Sequence, residues 1–354
     1  MAIDNVITWG TAEVLASDEV AEGVRRIVLS PDHPVPARPG SHVDVRLTAR
    51  DGDAGPATLT RSYSVVASED GGRRLTLTVQ LARPGRGGSR RMHALQVGDR
   101  LPVTAPLQNF PLGVGAARYV LLAGGIGLTA TIAMARTLRA RGADYRLVLA
   151  GRRREALPYL DELVAEHGDR FTLHTEAEGG RLDVAGLVAE VAGGAHPGRT
   201  ELYMCGPIAM MEAVRRAWAD AALPPTNLRF ETFGNSGSWE PQEFRVRVPR
   251  LGTTVEVTPG STVLESLEAA GVAVMADCRK GECGLCVARV LDLHGRIDHR
   301  DVFLDDDQKA AGDRLCLCVS RVAVPDRAAT TATCPPDTRT TDPAPCGVLT
   351  LELP

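Results

Sequence analysis

Lysine is nearly missing from this chain: 354 residues contain two, Lys280 and Lys309, and arginine carries the rest of the positive charge. Basic excess is missing too. Forty basic against 44 acidic residues leave a formal net charge of -4, which lacks the footprint of a nucleic-acid binder. There is no long hydrophobic run. The longest uncharged stretch, Tyr119 to Ala135, holds 17 residues and three glycines. A membrane-spanning helix needs roughly 20 apolar residues, so the stretch reads instead as a buried strand, a turn and a helix start. The opening MAIDNVITWG has no basic start followed by an apolar core, so no signal peptide is expected and a cytoplasmic, membrane-free protein is. Cysteine is almost absent from the first 240 residues, where Cys205 stands alone.

What is present is enough hydrophobic sequence, 44%, to build cores, which excludes wholesale disorder. At roughly 100–200 residues per domain the length predicts two or three domains. The charge is uneven. Residues 1–240 hold 27 acidic and 27 basic side chains, whereas residues 241–354 hold 17 and 13 and seven of the eight cysteines. The last third is therefore a separate acidic, cysteine-rich module. The Gly/Ser-rich stretch from Gly234 to Pro241 suits a linker.

Val24–Leu29, His42–Leu47 and Leu75–Leu81 alternate apolar and polar residues at period two, so the first hundred residues predict a small antiparallel β-barrel. From Arg118 the texture changes. Apolar strands at Tyr119–Ala123, Tyr145–Ala150, Phe171–Thr175, Glu201–Met204 and Leu228–Thr232 alternate with helical stretches near 129–141, 159–166, 184–191 and 208–222. That alternation predicts a doubly wound parallel α/β sheet. The Thr/Pro-rich stretch Arg327–Pro345 reads as a surface loop, and its Cys334 and Cys346 as free thiols or an adventitious disulfide.

The strongest chemical signal is Cys278, Cys283 and Cys286, three thiols at spacings x4 and x2, the plant-type [2Fe-2S] pattern. Two irons need four thiolates, and the loop glycines Gly281 and Gly284 let backbone amides approach the sulfurs. The fourth ligand comes from Cys316 or Cys318, and spacing alone favours Cys316. Zinc is the competing reading, but zinc loops pair their ligands as CxxC or CxxH units. Two further motifs suit nucleotides. Gly124, Gly125 and Gly127, followed by Thr129, form a strand-to-helix turn that lets a pyrophosphate approach. Cys205, Gly206 and Pro207 close a later strand, where such sheets bind ligands. In the barrel, Arg61, Ser62, Tyr63 and Ser64 combine a cation, a flat ring and hydroxyls suited to a flavin. Pro84 to Ser89 reads as a phosphate nest.

These motifs in this order resemble the phthalate dioxygenase reductase family, which includes vanillate O-demethylase reductase. The resemblance spans essentially the whole chain. It implies an FMN-binding β-barrel (1–113), an NAD-binding α/β domain (114–234) and a plant-type, β-grasp [2Fe-2S] ferredoxin domain (235–354, with 235–241 as linker). Arg61, Ser62, Tyr63 and Ser64 match its flavin motif. Gly87, Gly88 and Ser89 match its phosphate loop, with Val79 in the strand ahead. Gly124, Gly125, Gly127 and Thr129, together with Cys205, Gly206 and Pro207, match its nucleotide motifs. Asn109–Leu112, Glu231 with Phe233, and Asp298–Asp301 match further stretches. The family's last cluster ligand precedes Val-Ser-Arg, so the resemblance selects Cys318.

The resemblance further implies hydride transfer from NAD(P)H to the flavin, single electrons to the cluster, and delivery to a terminal oxygenase. A Rieske non-haem iron enzyme comes first as partner and a haem monooxygenase second. Ser64, Cys205 and Glu231 take the catalytic positions. NADH is favoured, with Arg152, Arg153 and Arg154 keeping NADPH open. The competing functions are an FAD-containing hydroxylase reductase and an iron–sulfur sensor or carrier without turnover. Gln80 and Ala130 depart from the family pattern, which often has Lys and Pro there, and Val324–Pro345 is longer than the usual link.

Overall fold

The computed structural model describes residues 7–49, 58–82, 87–233, 237, 239, 241–324 and 347–353. The segment at 83–86, most of the expected linker, and the Thr/Pro-rich stretch with Cys334 and Cys346 lie outside these residues. By contact the chain forms two compact units, one running to Glu231 and one from Thr232 onward.

The first unit opens with strands β1 (Trp9–Ala21), β2 (Val24–Pro31), β3 (Ser41–Thr48), β4 (Thr58–Glu69) and β5 (Arg74–Gln80). A short helix α1 (Gly88–His93) and strands β6 (Arg100–Thr104) and β7 (Leu107–Gln108) follow. The order β4-β5-β2-β1-β6-β3, with β3 paired back to β4, closes an antiparallel barrel and leaves β7 attached to β3. Period-two alternation sends Val14, Ile27, Leu29, Val43, Val45, Leu75, Leu77 and Val103 into its interior.

The same unit continues as β8 (Arg118–Gly124), α2 (Leu128–Ala140), β9 (Tyr145–Gly151), α3 (Leu160–His167), β10 (Phe171–Thr175), α4 (Val184–Ala192), β11 (Thr200–Cys205), α5 (Ile208–Asp220) and β12 (Leu228–Glu231). All five strands are parallel, in the order β10-β9-β8-β11-β12. Strand β8 is buried from Tyr119 to Gly124, as a central parallel strand covered on both faces must be. The order reverses direction between β8 and β11, and the crevice beyond their carboxyl ends is where such sheets bind ligands. Helix α2 packs on β4 and on β8, tying barrel to sheet. Across the same junction the Thr78 and Tyr159 hydroxyls lie 2.5 Å apart, and the Phe110 and Tyr203 rings 5.6 Å apart.

The second unit contains β13 (Phe244–Val248), β14 (Thr253–Val257), α6 (Val263–Ala269), β15 (Val287–His294), β16 (Arg296–Asp298), α7 (Asp306–Ala311), β17 (Arg314–Cys316), β18 (Arg321–Ala323) and β19 (Gly347–Glu352). A five-stranded mixed sheet, β14-β13-β19-β15-β17, carries α6, giving the β-grasp form. The Thr262–Glu265 capping box starts α6, and its apolar face of Val263, Leu264 and Leu267 joins Phe244, Val246, Leu315, Leu349 and Leu351 in the core. Among the described residues no helix is long and apolar enough to cross a membrane.

Candidate functional site

The crevice between β8 and β11 is built from glycines because two loops interlock there. A side chain at Gly127 would place its Cβ 2.1 Å from the Cys205 carbonyl oxygen, and one at Gly206 would stand 2.9 Å from the Gly124 Cα. Neither site admits a Cβ, so the two nucleotide motifs of the sequence are halves of one turn structure. Thr129 donates its hydroxyl to the Ile126 carbonyl at 2.9 Å, bracing the turn from the first helical residues. Cys205 lies in register with Ala123 on one side and Glu231 on the other. The buried Cys205 and Glu231 thus share the strand-end row.

On the barrel, the register of β3 and β4 sets Val45 opposite Arg61, Asp44 opposite Ser62, Val43 opposite Tyr63 and His42 opposite Ser64. The Ser62 hydroxyl donates to Asp44 at 2.5 Å, Tyr63 packs against the barrel core, and Ser64 is buried. The Arg61 side chain runs over Gly88, whose missing Cβ would fall 2.8 Å from Arg61 Cγ. The flavin motif and the Gly87–Ser89 end of the phosphate loop are therefore one surface. Ser89 Oγ accepts the Ala82 amide at 3.1 Å. Val79 is buried and its carbonyl meets His93 Nε2 at 2.8 Å. A separate 510 Å³ cavity beside Gln80, with Glu22, Arg25, His93 and Arg153 in its lining, takes none of these motif residues.

In the second unit the thiols gather. Cys278 and Cys283 are half-buried, while Cys286, Cys316 and Cys318 are buried. Backbone bonds bring the last two to the loop: the Leu317 amide donates to the Cys286 carbonyl at 3.1 Å, and Val287 pairs with Cys316. The Cys318 thiol hydrogen-bonds with Cys278 and Cys286, and the Cys316 thiol hydrogen-bonds with Cys286 and interacts electrostatically with Cys278. The amides of Lys280, Glu282 and Cys283 all point at Cys278 Sγ from 3.4 Å. The contact with Cys318, opposed by burial and aided by these amides, lowers the Cys278 thiol to about 4. Contacts with Cys316 and Cys318 lower Cys286 to about 3. Burial raises Cys283, and the contacts with lowered neighbours raise Cys316 and Cys318.

Among the described residues no three His, Cys, Asp or Glu side chains focus on one metal-ion position. A two-iron cluster distributes its thiolates between two irons, and the all-sulfur donor set with its fan of amides fits such a group.

The loop is held from behind by residues the sequence marked only as a motif. Buried Asp301 accepts the Leu304 amide at 2.9 Å and the Ser320 hydroxyl at 3.1 Å, while the Val302 amide donates to the Gly281 carbonyl. Asp298 and Arg300 form a buried ion pair at 2.6 Å. Arg321 donates to the carbonyls of Gln242 and Thr258 at 2.9 Å. Sequence reasoning missed Thr232 and Glu282. The Thr232 amide donates to the Glu282 carboxylate at 2.6 Å, and its hydroxyl to the Lys280 carbonyl at 2.6 Å.

Residues 246–323 match the family model described as a 2Fe-2S iron-sulfur cluster binding domain, and residues 121–216 match an oxidoreductase NAD-binding domain. Tetrachlorobenzoquinone reductase of Sphingobium chlorophenolicum is 40% identical over 79% of this chain and 84% of its own. The vanillate O-demethylase oxidoreductase of Pseudomonas sp. strain HR199 is 34% identical over 81% and 87%. The solved structure of phthalate dioxygenase reductase, described as modular for electron transfer from pyridine nucleotides to [2Fe-2S], matches with a TM-score of 0.70. It shares 28% identity and covers 99% of both chains. The chain belongs to the phthalate dioxygenase reductase family. Like other members of the phthalate dioxygenase reductase family it is an oxidoreductase, with barrel, NAD-binding sheet and 2Fe-2S domain in that order.

Proposed function

We propose that the protein is the reductase component of an oxygenase system, drawing electrons from NADH through FMN and a [2Fe-2S] cluster to a Rieske non-haem iron oxygenase. The observation that carries this reading is the pairing, in one chain, of an interlocked glycine crevice with a gathered set of thiols. When bound, the flavin accepts a two-electron hydride and the cluster takes one electron at a time.

The chain supplies placement. Gly124, Gly125, Gly127 and Thr129 receive the pyrophosphate, and Cys205, Gly206, Pro207 and Glu231 position the nicotinamide. Tyr63 flanks the flavin ring, and Ser64 orients its reactive edge. Arg61, Gly87, Gly88 and Ser89 offer a cation, free amides and a hydroxyl to a terminal phosphate, which suits FMN. Cys278, Cys283, Cys286 and Cys318 hold the cluster. Cys318 is favoured over Cys316 because it hydrogen-bonds with two of the loop thiols rather than one. NADH is favoured because Arg153 is paired with Glu22 and Arg154 with Glu178. A 2′-phosphate would have to displace carboxylates there. The net charge of residues 241–354 suits a partner with a basic face, with electrostatics aiding encounter.

The test is NADH-driven reduction of a one-electron protein acceptor such as cytochrome c. Cys278→Ser is expected to abolish it while NADH oxidation by ferricyanide persists. Cytochrome c reduction by a variant shown to lack iron would overturn the reading.

A further inference from the structure

The cluster loop is anchored at a point that none of the cluster motifs includes. Thr232 is 1% exposed and follows the last residue of β12 in the chain. Its amide donates to Glu282 Oε1 at 2.6 Å. Its hydroxyl proton serves the Lys280 carbonyl at 2.6 Å, the nearer of two oxygens, with Glu282 Oε1 at 2.9 Å. Lys280 and Glu282 are also two of the three residues whose amides aim at Cys278 Sγ. The third, Cys283, follows Glu282 directly. Buried Thr232 therefore holds the carbonyl of one residue and the carboxylate of another whose amides both belong to this fan. The same loop contains Arg279 at a φ of 51°, an uncommon conformation for a non-glycine residue, so it needs holding. Arg279 is itself tied to Glu268, at 2.6 Å.

We propose that Thr232 and Glu282 form a positioning clamp that holds the amides of the 278–283 loop on the Cys278 sulfur and so sets the reduction potential of the cluster. The inference rests on the [2Fe-2S] reading above. Amide-to-sulfur hydrogen bonds stabilise the more negative, reduced cluster, so loosening them lowers the potential. A hydroxyl-bearing residue is required rather than any small residue, because the hydroxyl is used as well as the amide. Glu282 contributes as an acceptor; its charge opposes reduction, and the two effects must be separated.

The experiment is a potentiometric titration of the intact holoprotein, followed by the electron paramagnetic resonance signal of the reduced cluster. Iron and acid-labile sulfide are measured on each sample. Thr232→Val is expected to retain its iron and to lower the reduced-to-oxidised ratio at fixed potential by about two- to tenfold, the weight of one hydrogen bond. Tenfold corresponds to about 59 mV for a one-electron couple. Thr232→Ser restores the wild-type value. Glu282→Gln keeps an acceptor and removes the charge, so Glu282→Leu is compared with it, and the Leu variant is expected at the lower potential.

A Thr232→Val protein with full iron and an unchanged potential overturns the clamp, as does equality of the Gln and Leu variants. If Thr232→Val loses iron, the Gln and Leu pair decides. A wild-type protein without iron and sulfide instead overturns the [2Fe-2S] reading, a separate result.

Discussion

Replacing Arg300 with methionine removes one half of a buried ion pair while keeping most of the side-chain volume. Asp298 is 1% exposed, and its Oδ2 receives Arg300 Nε at 2.7 Å and Nη2 at 2.6 Å. Arg300 Nη2 also donates to the Trp239 carbonyl at 2.9 Å. The methionine variant leaves the carboxylate buried without this cation. Removing one partner of such a pair typically costs about 3–5 kcal/mol, against roughly 5–15 for a whole domain. For a unit of this size each kcal/mol lowers the unfolding midpoint by roughly 3–5 °C, so a drop of about 10–20 °C is expected. Asp298 pairs with Arg321 across β16 and β18, three residues after Cys318, so the loss should reach the cluster. The assay is the midpoint for thermal bleaching of the cluster's visible absorption. Asp298→Asn combined with Arg300→Met removes the buried charge and should recover at least half of the loss. A shift under about 2 °C for Arg300→Met, or no recovery in the double variant, would refute the reasoning.

Three further outcomes are expected. Cys318→Ser should lose most of its iron while Cys316→Ser keeps it, by iron and sulfide analysis; the reverse pattern would make Cys316 the ligand. Gly127→Ala drives a methyl into the Cys205 carbonyl, so NADH affinity should fall at least tenfold in a fluorescence titration, with iron content unchanged. The third concerns His167, which is fully buried with Nδ1 2.6 Å from the Tyr145 hydroxyl. Burial, aided by Arg139, Arg136 and Arg170 and opposed by Glu166, lowers it from 6.5. The unfolded chain therefore binds this proton first, so the contribution to stability is intact above pH 6.5 and lost as pH falls below it. Calorimetry should show the unfolding midpoint of the first unit falling between pH 7 and 5, with a shallower slope in His167→Gln.

The features legible in the sequence were those carried by local pattern. The β8 strand is a continuous apolar run, and α2 and α5 end within two residues of their expected limits because their buried faces repeat at helical spacing. The three loop thiols lie within nine residues, so their chemistry needed no fold. Strand β1 escapes the pattern because Ser17, Asp18 and Glu19 break its alternation ahead of the hairpin. Helix α1 went unread because its glycine start reads as loop. The grip of Thr232 on Glu282, the Arg61 stack on Gly88 and the interlock of Gly127 with Cys205 join positions far apart in the chain. Only the tertiary fold brings them together. For the fourth cluster ligand, spacing points to Cys316 and the family resemblance to Cys318, and the fold brings both thiols to Cys286.

The central claim is that one chain moves electrons from nicotinamide through flavin to the cluster. Rapid anaerobic mixing of the holoprotein with NADH, followed across the visible spectrum, tests it most directly. The account predicts bleaching of the flavin band first and loss of the oxidised cluster's absorption after it. No change in either band with NADH or NADPH would contradict it.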